Sequence, residues 1–196
     1  MDYRKYIFPI NRALEGTGVL VGNLFITAGH VVEGSIEPSV SVDGENYRLT
    51  EQNRIVIETN PSKLSNGYDV AIYKLDGIES PLMLSDNIPN VTDDVVSYSY
   101  KTNITQNTEH GVGIFGSIKH EERLLERVTG KVIEYYDNFF ECKMDEKLSQ
   151  GRSGSPLFVN NKIVGILYGD KDGKINSSTV LYLSSNAILK LIKGKI

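Results

Sequence analysis

The chain has 196 residues, a formal net charge of −4 at neutral pH and 40% hydrophobic residues, a composition that is sufficient for a globular core. Its lysines and arginines are scattered along the sequence. Because no basic stripe is available to neutralise phosphates, the sequence argues against a nucleic-acid-binding protein.

The first half of the sequence consists of short runs of β-branched and aromatic residues that alternate with Gly, Asn and Asp, a pattern typical of an all-β barrel or sandwich protein. Six strands are predicted there: Gly18–Val21, Leu24–Thr27, Val40–Val42, Tyr47–Thr50, Arg54–Glu58 and Val70–Leu75. The proline-containing stretch from Asp76 to Asp94 indicates a connection between two halves. We therefore expect one domain at residues 1–90 and a second at residues 91–196.

The second half continues the same pattern of short strands. Seven are predicted: Val95–Tyr100, Gly111–Ile118, Leu124–Tyr135, Phe139–Lys143, Pro156–Val159, Ile163–Tyr168 and Thr179–Leu183. The pairs Asn160-Asn161 and Asp172-Gly173 tolerate positive φ and lie where tight hairpin turns are expected.

The C-terminus is predicted to be a short helix. The residues from Ser184 to Asn186 can cap its free amide groups, and Ile188, Leu191 and Ile192 then share one helical face. Lys190, Lys193 and Lys195 in this segment are interpreted as solvated side chains near a helix C-terminus, not as an anion-binding site.

The single cysteine, Cys142, lies in an apolar, strand-like run and cannot form an internal disulfide. We interpret it as a buried structural thiol. The segment from Met1 to Gly16 carries charge throughout and lacks the apolar stretch of a secretory signal, and no apolar run of about 18 residues occurs. These features predict a soluble, cytoplasmic chain that does not associate with membranes.

A candidate nucleophile lies in the segment Gly151-Arg152-Ser153-Gly154-Ser155-Pro156. Glycines on both sides of Ser153 permit the sharp backbone turn that aims amide hydrogens at a substrate carbonyl. A Gly-Xaa-Ser-Gly string also occurs in ordinary turns, so the interpretation depends on partners elsewhere in the chain.

A serine nucleophile needs a base, and the chain offers His30, His110 and His120. All three precede Ser153, an order that excludes the α/β-hydrolase arrangement, in which the histidine comes last. His30 follows a predicted strand, whereas His110 and His120 lie in polar stretches and are interpreted as exposed loop residues. His30 is therefore the predicted base.

Asp69 is the predicted orienting carboxylate. It directly precedes the apolar run that begins at Val70, where an unpaired carboxylate would be costly to bury. A histidine partner would offset that cost and would fix the histidine tautomer. The alternative is that Asp69 caps the turn at Asn66-Gly67.

Taken together, Thr27-Ala28-Gly29-His30-Val31, Asp69-Val70-Ala71-Ile72 and Gly151–Pro156 resemble, in order, the motifs of the trypsin/chymotrypsin-like serine peptidases. The likeness is greatest to the bacterial branch that includes the periplasmic heat-shock serine proteases and the glutamyl endopeptidases. The resemblance implies two antiparallel six-stranded β-barrels with the active site between them, and the predicted C-terminal helix follows the second barrel.

The resemblance also implies a chemistry: Ser153 attacks the scissile carbonyl, His30 transfers the proton and Asp69 holds His30. The backbone amides of Gly151 and Ser153 would form the oxyanion hole. Catalysis would need no metal and no cofactor, and the substrate would be a peptide or protein. The resemblance is also compatible with a regulatory protein partner.

The resemblance places the substrate pocket in two segments of the second half. The candidate residues are Lys147, Leu148, Gln150, Leu167, Tyr168, Gly169 and Asp170. Lys147 would favour an acidic substrate side chain and Asp170 a basic one. No histidine lies in Ile163–Gly173, which argues against a glutamyl preference, so the cleavage residue stays unassigned.

The sequence leaves two alternatives to an active endopeptidase. The first is a catalytically silent binding module with the same fold. The second is a calcium-binding or phosphate-binding protein. No Gly-rich phosphate loop of the Gly-Lys-Ser/Thr type occurs; Asp170-Lys171-Asp172-Gly173 resembles the start of a calcium loop, but Leu181 stands where such a loop requires its closing glutamate. A hairpin turn explains that segment better.

Overall fold

A computed structural model describes residues 2–11, 15–60, 67–108, 117–170 and 177–195, with the backbone alone described at 102–108 and 117–122. The all-β prediction is confirmed. The strands are β1 (Ile7–Pro9), β2 (Thr17–Val21), β3 (Leu24–Thr27), β4 (Ser39–Val42), β5 (Glu45–Arg48), β6 (Arg54–Asn60), β7 (Tyr68–Lys74), β8 (Asp94–Thr108), β9 (Ser117–Tyr135), β10 (Phe139–Leu148), β11 (Pro156–Val159), β12 (Lys162–Gly169) and β13 (Ser177–Ser184). The helical segments are a 3-10 turn (Tyr3–Tyr6), α1 (Gly29–Val32) and α2 (Ser185–Ile192).

The second half of the chain forms a closed six-stranded barrel in the order β10-β13-β12-β11-β8-β9. All of its described strand pairs are antiparallel. Phe140, Cys142, Leu157, Leu167 and Tyr182 are buried in one apolar cluster contributed by its strands. The predicted barrel is thus confirmed for this half.

In the first half, the prediction of a second six-stranded barrel is only partly met. The described strands form an open five-stranded sheet, β1-β2-β3-β7-β6, and a separate β4-β5 hairpin. Among the described residues, one isolated bridge, from Asn11 to Ser39, joins the hairpin to the preceding chain. Val40 and Val42 are buried with Phe25 and Ala71, so β4 packs on the sheet through its side chains and not through a continuous hydrogen-bond ladder.

Several boundaries differ from the prediction. The strand predicted at Tyr47–Thr50 is β5, shifted toward the N-terminus, and β8 and β9 extend well beyond their predicted apolar runs. The one-turn helix α1 was not predicted because β-branched Val31 and Val32 do not favour helix; its position depends on a tertiary bond described below. Most of the strand predicted at Gly111–Ile118 lies outside the described residues.

The local predictions at turns and caps are confirmed where the structure describes them. Asn160 and Asn161 have φ of 46° and 68°, and the Ser184 hydroxyl accepts a hydrogen bond from the Ala187 amide at 3.2 Å, capping α2. Asp172-Gly173 lies outside the described residues. None of the helices in the described parts of the chain has the length and apolarity needed to cross a membrane.

The largest apolar cluster contains residues of both halves. Val19, Ile26 and Val70 from the open sheet are buried in the same cluster as Phe139 and Ile188 from the barrel and α2. Because this shared core joins the two halves, the ends of β3 and β7 are held beside the loop that precedes β11.

Cys142 is fully buried, as predicted for a structural thiol. Burial and the neighbouring Glu141 carboxylate raise the pKa of the Cys142 thiol well above its usual value.

Because the thiolate is the reactive form, we expect iodoacetamide at pH 8 to leave the folded protein unmodified and to alkylate Cys142 once urea unfolds the chain. Intact mass spectrometry measures both states, and alkylation at equal rates in the two would contradict the prediction.

Candidate active site

The structure brings His30 and Asp69 together at one end of the open sheet. His30 lies in α1, directly after β3, and Asp69 is the second residue of β7. The two strands are neighbours, with Thr27 opposite Ala71. Residues that follow β3 therefore lie beside residues at the start of β7.

Two hydrogen bonds join the pair. The His30 backbone N–H donates to Asp69 Oδ1 at 2.8 Å, and His30 Nδ1 lies 2.6 Å from Asp69 Oδ2. Because a carboxylate only accepts hydrogen bonds, the second contact places the ring proton on Nδ1 and leaves Nε2 as an acceptor. The Asp69 side chain is fully buried, whereas 36% of the His30 side chain is exposed. A bound molecule can therefore reach the His30 ring, whereas the Asp69 side chain is shielded from it.

Tyr168 packs against His30. The two ring centroids are 6.0 Å apart and the rings meet edge to face. The ring of Phe139 makes a similar edge contact with Tyr168. Burial raises the pKa of Tyr168, with further contributions from the negative charges of Asp69 and Asp170. The phenol is therefore neutral and acts as a wall of the site. Sequence reasoning placed Tyr168 in the substrate pocket and did not predict this contact.

The glycines of the Ser153 loop have the conformations that the sequence predicts. Gly151 and Gly154 have φ of 90° and 84°, in a region that residues other than glycine rarely adopt. A Cβ atom on Gly154 would overlap the Thr17 carbonyl oxygen and would stand 2.8 Å from the Ala28 nitrogen. This close approach places the loop against the end of β3, two residues before His30.

The carbonyls of the loop are bonded to the protein. The Thr17 hydroxyl donates to the Gly151 carbonyl at 2.8 Å, and the Thr17 N–H donates to the Ser153 carbonyl at 2.8 Å. The Ser155 N–H donates to the Arg152 carbonyl at 3.1 Å. These bonds fix which way each of the three peptide units faces.

The amides of the loop differ from its carbonyls. Gly154 N–H donates to the Leu167 carbonyl at 2.8 Å and thereby ties the loop to β12. Within the described part of the chain, the N–H groups of Gly151 and Ser153 donate to no protein acceptor. These two amides are available to a ligand oxygen.

Ser153 lies within this anchored loop and is 4% exposed. Its hydroxyl and the His30 ring make no hydrogen bond to each other among the residues that the structure describes. Hydrogen bonds of this kind are often long in a protein without substrate and shorten when substrate binds. Of the other histidines, His110 lies outside the described residues, and His120 lies in β9 where only the backbone is described.

The predicted pocket residues divide by burial. Leu148, Leu167 and Gly169 are buried, Tyr168 and Asp170 are half-buried, and Lys147 and Gln150 are exposed.

Sequence reasoning missed the role of Arg152, whose guanidinium is buried against the barrel. From the sequence alone, an arginine beside a nucleophile is expected to be exposed. Its burial depends on acidic partners from other strands, which the local sequence does not reveal.

Comparison with known sequences gives a family. The family model described as the trypsin-like peptidase domain matches residues 16–166. A glutamyl endopeptidase of Staphylococcus epidermidis is 29% identical over 180 residues, which cover 86% of this chain and 58% of the relative. The chain thus spans somewhat over half the length of the curated relatives that it matches.

Solved structures support the fold. The inactive form of the Rv3671c protease of M. tuberculosis has a TM-score of 0.66 at 20% identity, covering 97% of this chain and 89% of that one. A scabies mite inactivated protease paralogue has a TM-score of 0.66 at 13% identity, covering 98% and 94%. With the family model matched from before β2 into β12, the chain belongs to the trypsin-like peptidase family.

Proposed function

We propose that this protein is a serine endopeptidase that hydrolyses peptide bonds through Ser153, His30 and Asp69. The observation that carries the proposal is the pair of hydrogen bonds between His30 and the buried Asp69 carboxylate. A buried carboxylate that fixes both the backbone and the ring of a half-exposed histidine leaves Nε2 free to accept a proton. That is the arrangement a serine nucleophile requires.

In the first half of the reaction, the Ser153 hydroxyl oxygen forms a bond to the scissile carbonyl carbon while its proton passes to His30 Nε2. Asp69 stabilises the imidazolium that results. His30 then gives the proton to the amide nitrogen as the carbon–nitrogen bond breaks. The amine product leaves, and the acyl group remains on Ser153.

In the second half, a water molecule attacks the acyl carbon and loses a proton to His30. The bond to Ser153 breaks, the proton returns to the serine oxygen and the carboxylic acid product leaves. Both halves pass through a tetrahedral intermediate with a negatively charged oxygen. The free amides of Gly151 and Ser153 are the donors that we propose for this oxygen.

We further propose that the substrate side chain before the scissile bond lies between the segments 147–150 and 167–170. The bond from Gly154 N–H to the Leu167 carbonyl supports this position, because it fixes β12 beside the nucleophile loop. Buried Leu148 and Leu167 would form apolar walls, and half-buried Asp170 is a polar group at the margin. Asp170 would favour a basic substrate side chain, whereas the similar relative is a glutamyl endopeptidase, so peptides with a basic and peptides with an acidic residue at this position should both be tested.

A binding module without turnover is the second candidate. The observation in its favour is that, in the described residues, no hydrogen bond joins Ser153 to His30, and one structural neighbour is named an inactivated protease. In that case the cleft would hold a peptide without cleaving it.

A fluorophosphonate probe distinguishes the two candidates, because it phosphonylates a serine only when a base and oxyanion donors assist. We expect mass spectrometry to locate the label on Ser153. The control is His30→Gln, which removes the base but leaves an amide donor for buried Asp69, and which should not be labelled. Failure to label the wild-type protein would support the binding module, and peptide libraries would then be screened for binding instead of cleavage.

A further inference from the structure

Arg152 stands between the two proposed oxyanion donors in the sequence, yet its side chain lies inside the protein. Arg152 is 1% exposed and heads the group of largest fully buried side chains among the described residues. A buried guanidinium is costly unless acceptors surround it. Its partners therefore show what holds the nucleophile loop.

The partners come from three strands of the barrel. Arg152 Nη2 contacts Glu126 Oε2 on β9 and lies 3.6 Å from Glu146 Oε1 on β10. Arg152 Nη1 donates to the hydroxyl of Ser99 on β8 at 2.9 Å. Ser99 and Glu126 are directly opposite each other in the β8-β9 ladder, so Arg152 docks on one cross-strand pair.

Charge is balanced around this contact. Lys101 Nζ lies 3.9 Å from Glu126 Oε1, so two cations face the two carboxylates of Glu126 and Glu146. Arg152 is buried, whereas about a third of the Glu126 side chain is exposed, and neither buried nor surface ion pairs contribute much net stability. Such a pair can instead favour one backbone conformation over its alternatives.

The conformation at stake is that of the two peptide units that carry the Gly151 and Ser153 N–H groups, Gln150–Gly151 and Arg152–Ser153. In the described residues these N–H groups donate to no protein acceptor, and the Arg152 carbonyl, which shares a peptide unit with the Ser153 N–H, accepts from the Ser155 N–H at 3.1 Å. Gly151 permits backbone rotation at little cost. A fixed Arg152 side chain opposes that rotation, because turning the peptide units would withdraw the guanidinium from Ser99 and Glu126.

We propose that Arg152 and Glu126 are positioning residues that hold the Gly151 and Ser153 amides in the oxyanion-binding orientation. This inference rests on the proposed function. Neither side chain touches the substrate in this scheme; Glu126 acts through Arg152, and Arg152 acts through its own backbone. Glu126, on β9 and outside the active site, thereby controls the rate of the chemical step.

The test compares Glu126→Gln with the wild-type protein on a peptide that the wild type cleaves. The substitution keeps the size of the side chain but removes the charge-assisted bond. Because misplaced donors weaken transition-state binding and not ground-state binding, we expect kcat and kcat/KM to fall together by roughly 10- to 100-fold with little change in KM. The matched control is Asp94→Asn, which breaks an exposed ion pair with Lys131 on the same two strands and should leave kcat unchanged.

A second variant separates positioning from stability. The double variant Arg152→Met/Glu126→Gln removes both charges at similar volume, so its melting temperature should be near that of the wild type even if Glu126→Gln alone is destabilised. We expect its kcat to stay low. Recovery of kcat together with stability would overturn the inference, because the ion pair would then be structural only.

The two proposals fail in different ways. If the wild type is labelled at Ser153 and cleaves peptides, but folded Glu126→Gln does so equally well, the positioning role is wrong and the proposed function stands. If the wild type is not labelled, both are wrong. Hydrogen exchange of residues 150–155 gives an independent readout, and faster exchange there in folded Glu126→Gln than in Asp94→Asn is the expected result.

Discussion

Replacement of Ser153 by alanine is expected to lower kcat by about 10⁴- to 10⁶-fold, because it removes the atom that forms the acyl bond. The remaining catalysis would come from the oxyanion donors and substrate binding alone. KM should change little, because the serine oxygen bonds to the substrate in the reaction steps and not in the initial complex. Steady-state cleavage of a fluorogenic peptide measures both constants.

The same variant should fold as well as the wild type. Among the described residues, the Ser153 hydroxyl donates to no protein acceptor, so its loss should change the free energy of unfolding by less than about 0.5 kcal/mol. A matched control is Ser185→Ala, which deletes a buried hydroxyl that donates to the Ser85 carbonyl at 2.7 Å, away from the site. That variant should lose about 1–3 kcal/mol of stability and keep its kcat.

A contrary result would be informative. If Ser153→Ala retained wild-type kcat, another group would be the nucleophile, and the fluorophosphonate label would have to be sought elsewhere. If it lost stability as Ser185→Ala does, the Ser153 hydroxyl would make a stabilising hydrogen bond in the free protein, contrary to the structure.

The strands and the catalytic candidates could be predicted because their signals are local. Leu24–Thr27 and Pro156–Val159 were predicted with the bounds that the structure gives, since each is an apolar run ended by a turn. His30 and Asp69 were paired from a cost argument: a carboxylate at the start of a buried strand needs a partner. The structure supplies that partner at 2.6 Å.

The remaining features depend on contacts between distant residues. Helix α1 contains residues of low helix propensity, and its backbone is held by Asp69 from 39 positions away. Whether the first sheet closes depends on pairing between strands, which a pattern within each strand cannot determine. The burial of Arg152 likewise depends on Ser99 and Glu126, which meet only when β8 and β9 pair.

Asp69→Asn is expected to reduce kcat by about 10⁴-fold while leaving the fold intact. The asparagine oxygen can still accept the His30 backbone N–H, which now donates to Asp69 Oδ1 at 2.8 Å. Its amide NH₂ group then lies opposite His30 Nδ1. Because this group donates a hydrogen bond, Nδ1 must be unprotonated to accept it. The ring proton moves to Nε2, so His30 can no longer accept the proton of Ser153.

The fold should survive because the exchange replaces a buried charge by a neutral group of the same shape, which is less costly to bury. Melting temperature and fluorophosphonate labelling, measured on the same sample, separate the two effects; a folded but slowly labelled variant is expected. Asp94→Asn provides the control for the chemical change at an exposed site. An unfolded Asp69→Asn protein would mean that the carboxylate is needed for structure, since the tautomer effect alone acts only on the reaction.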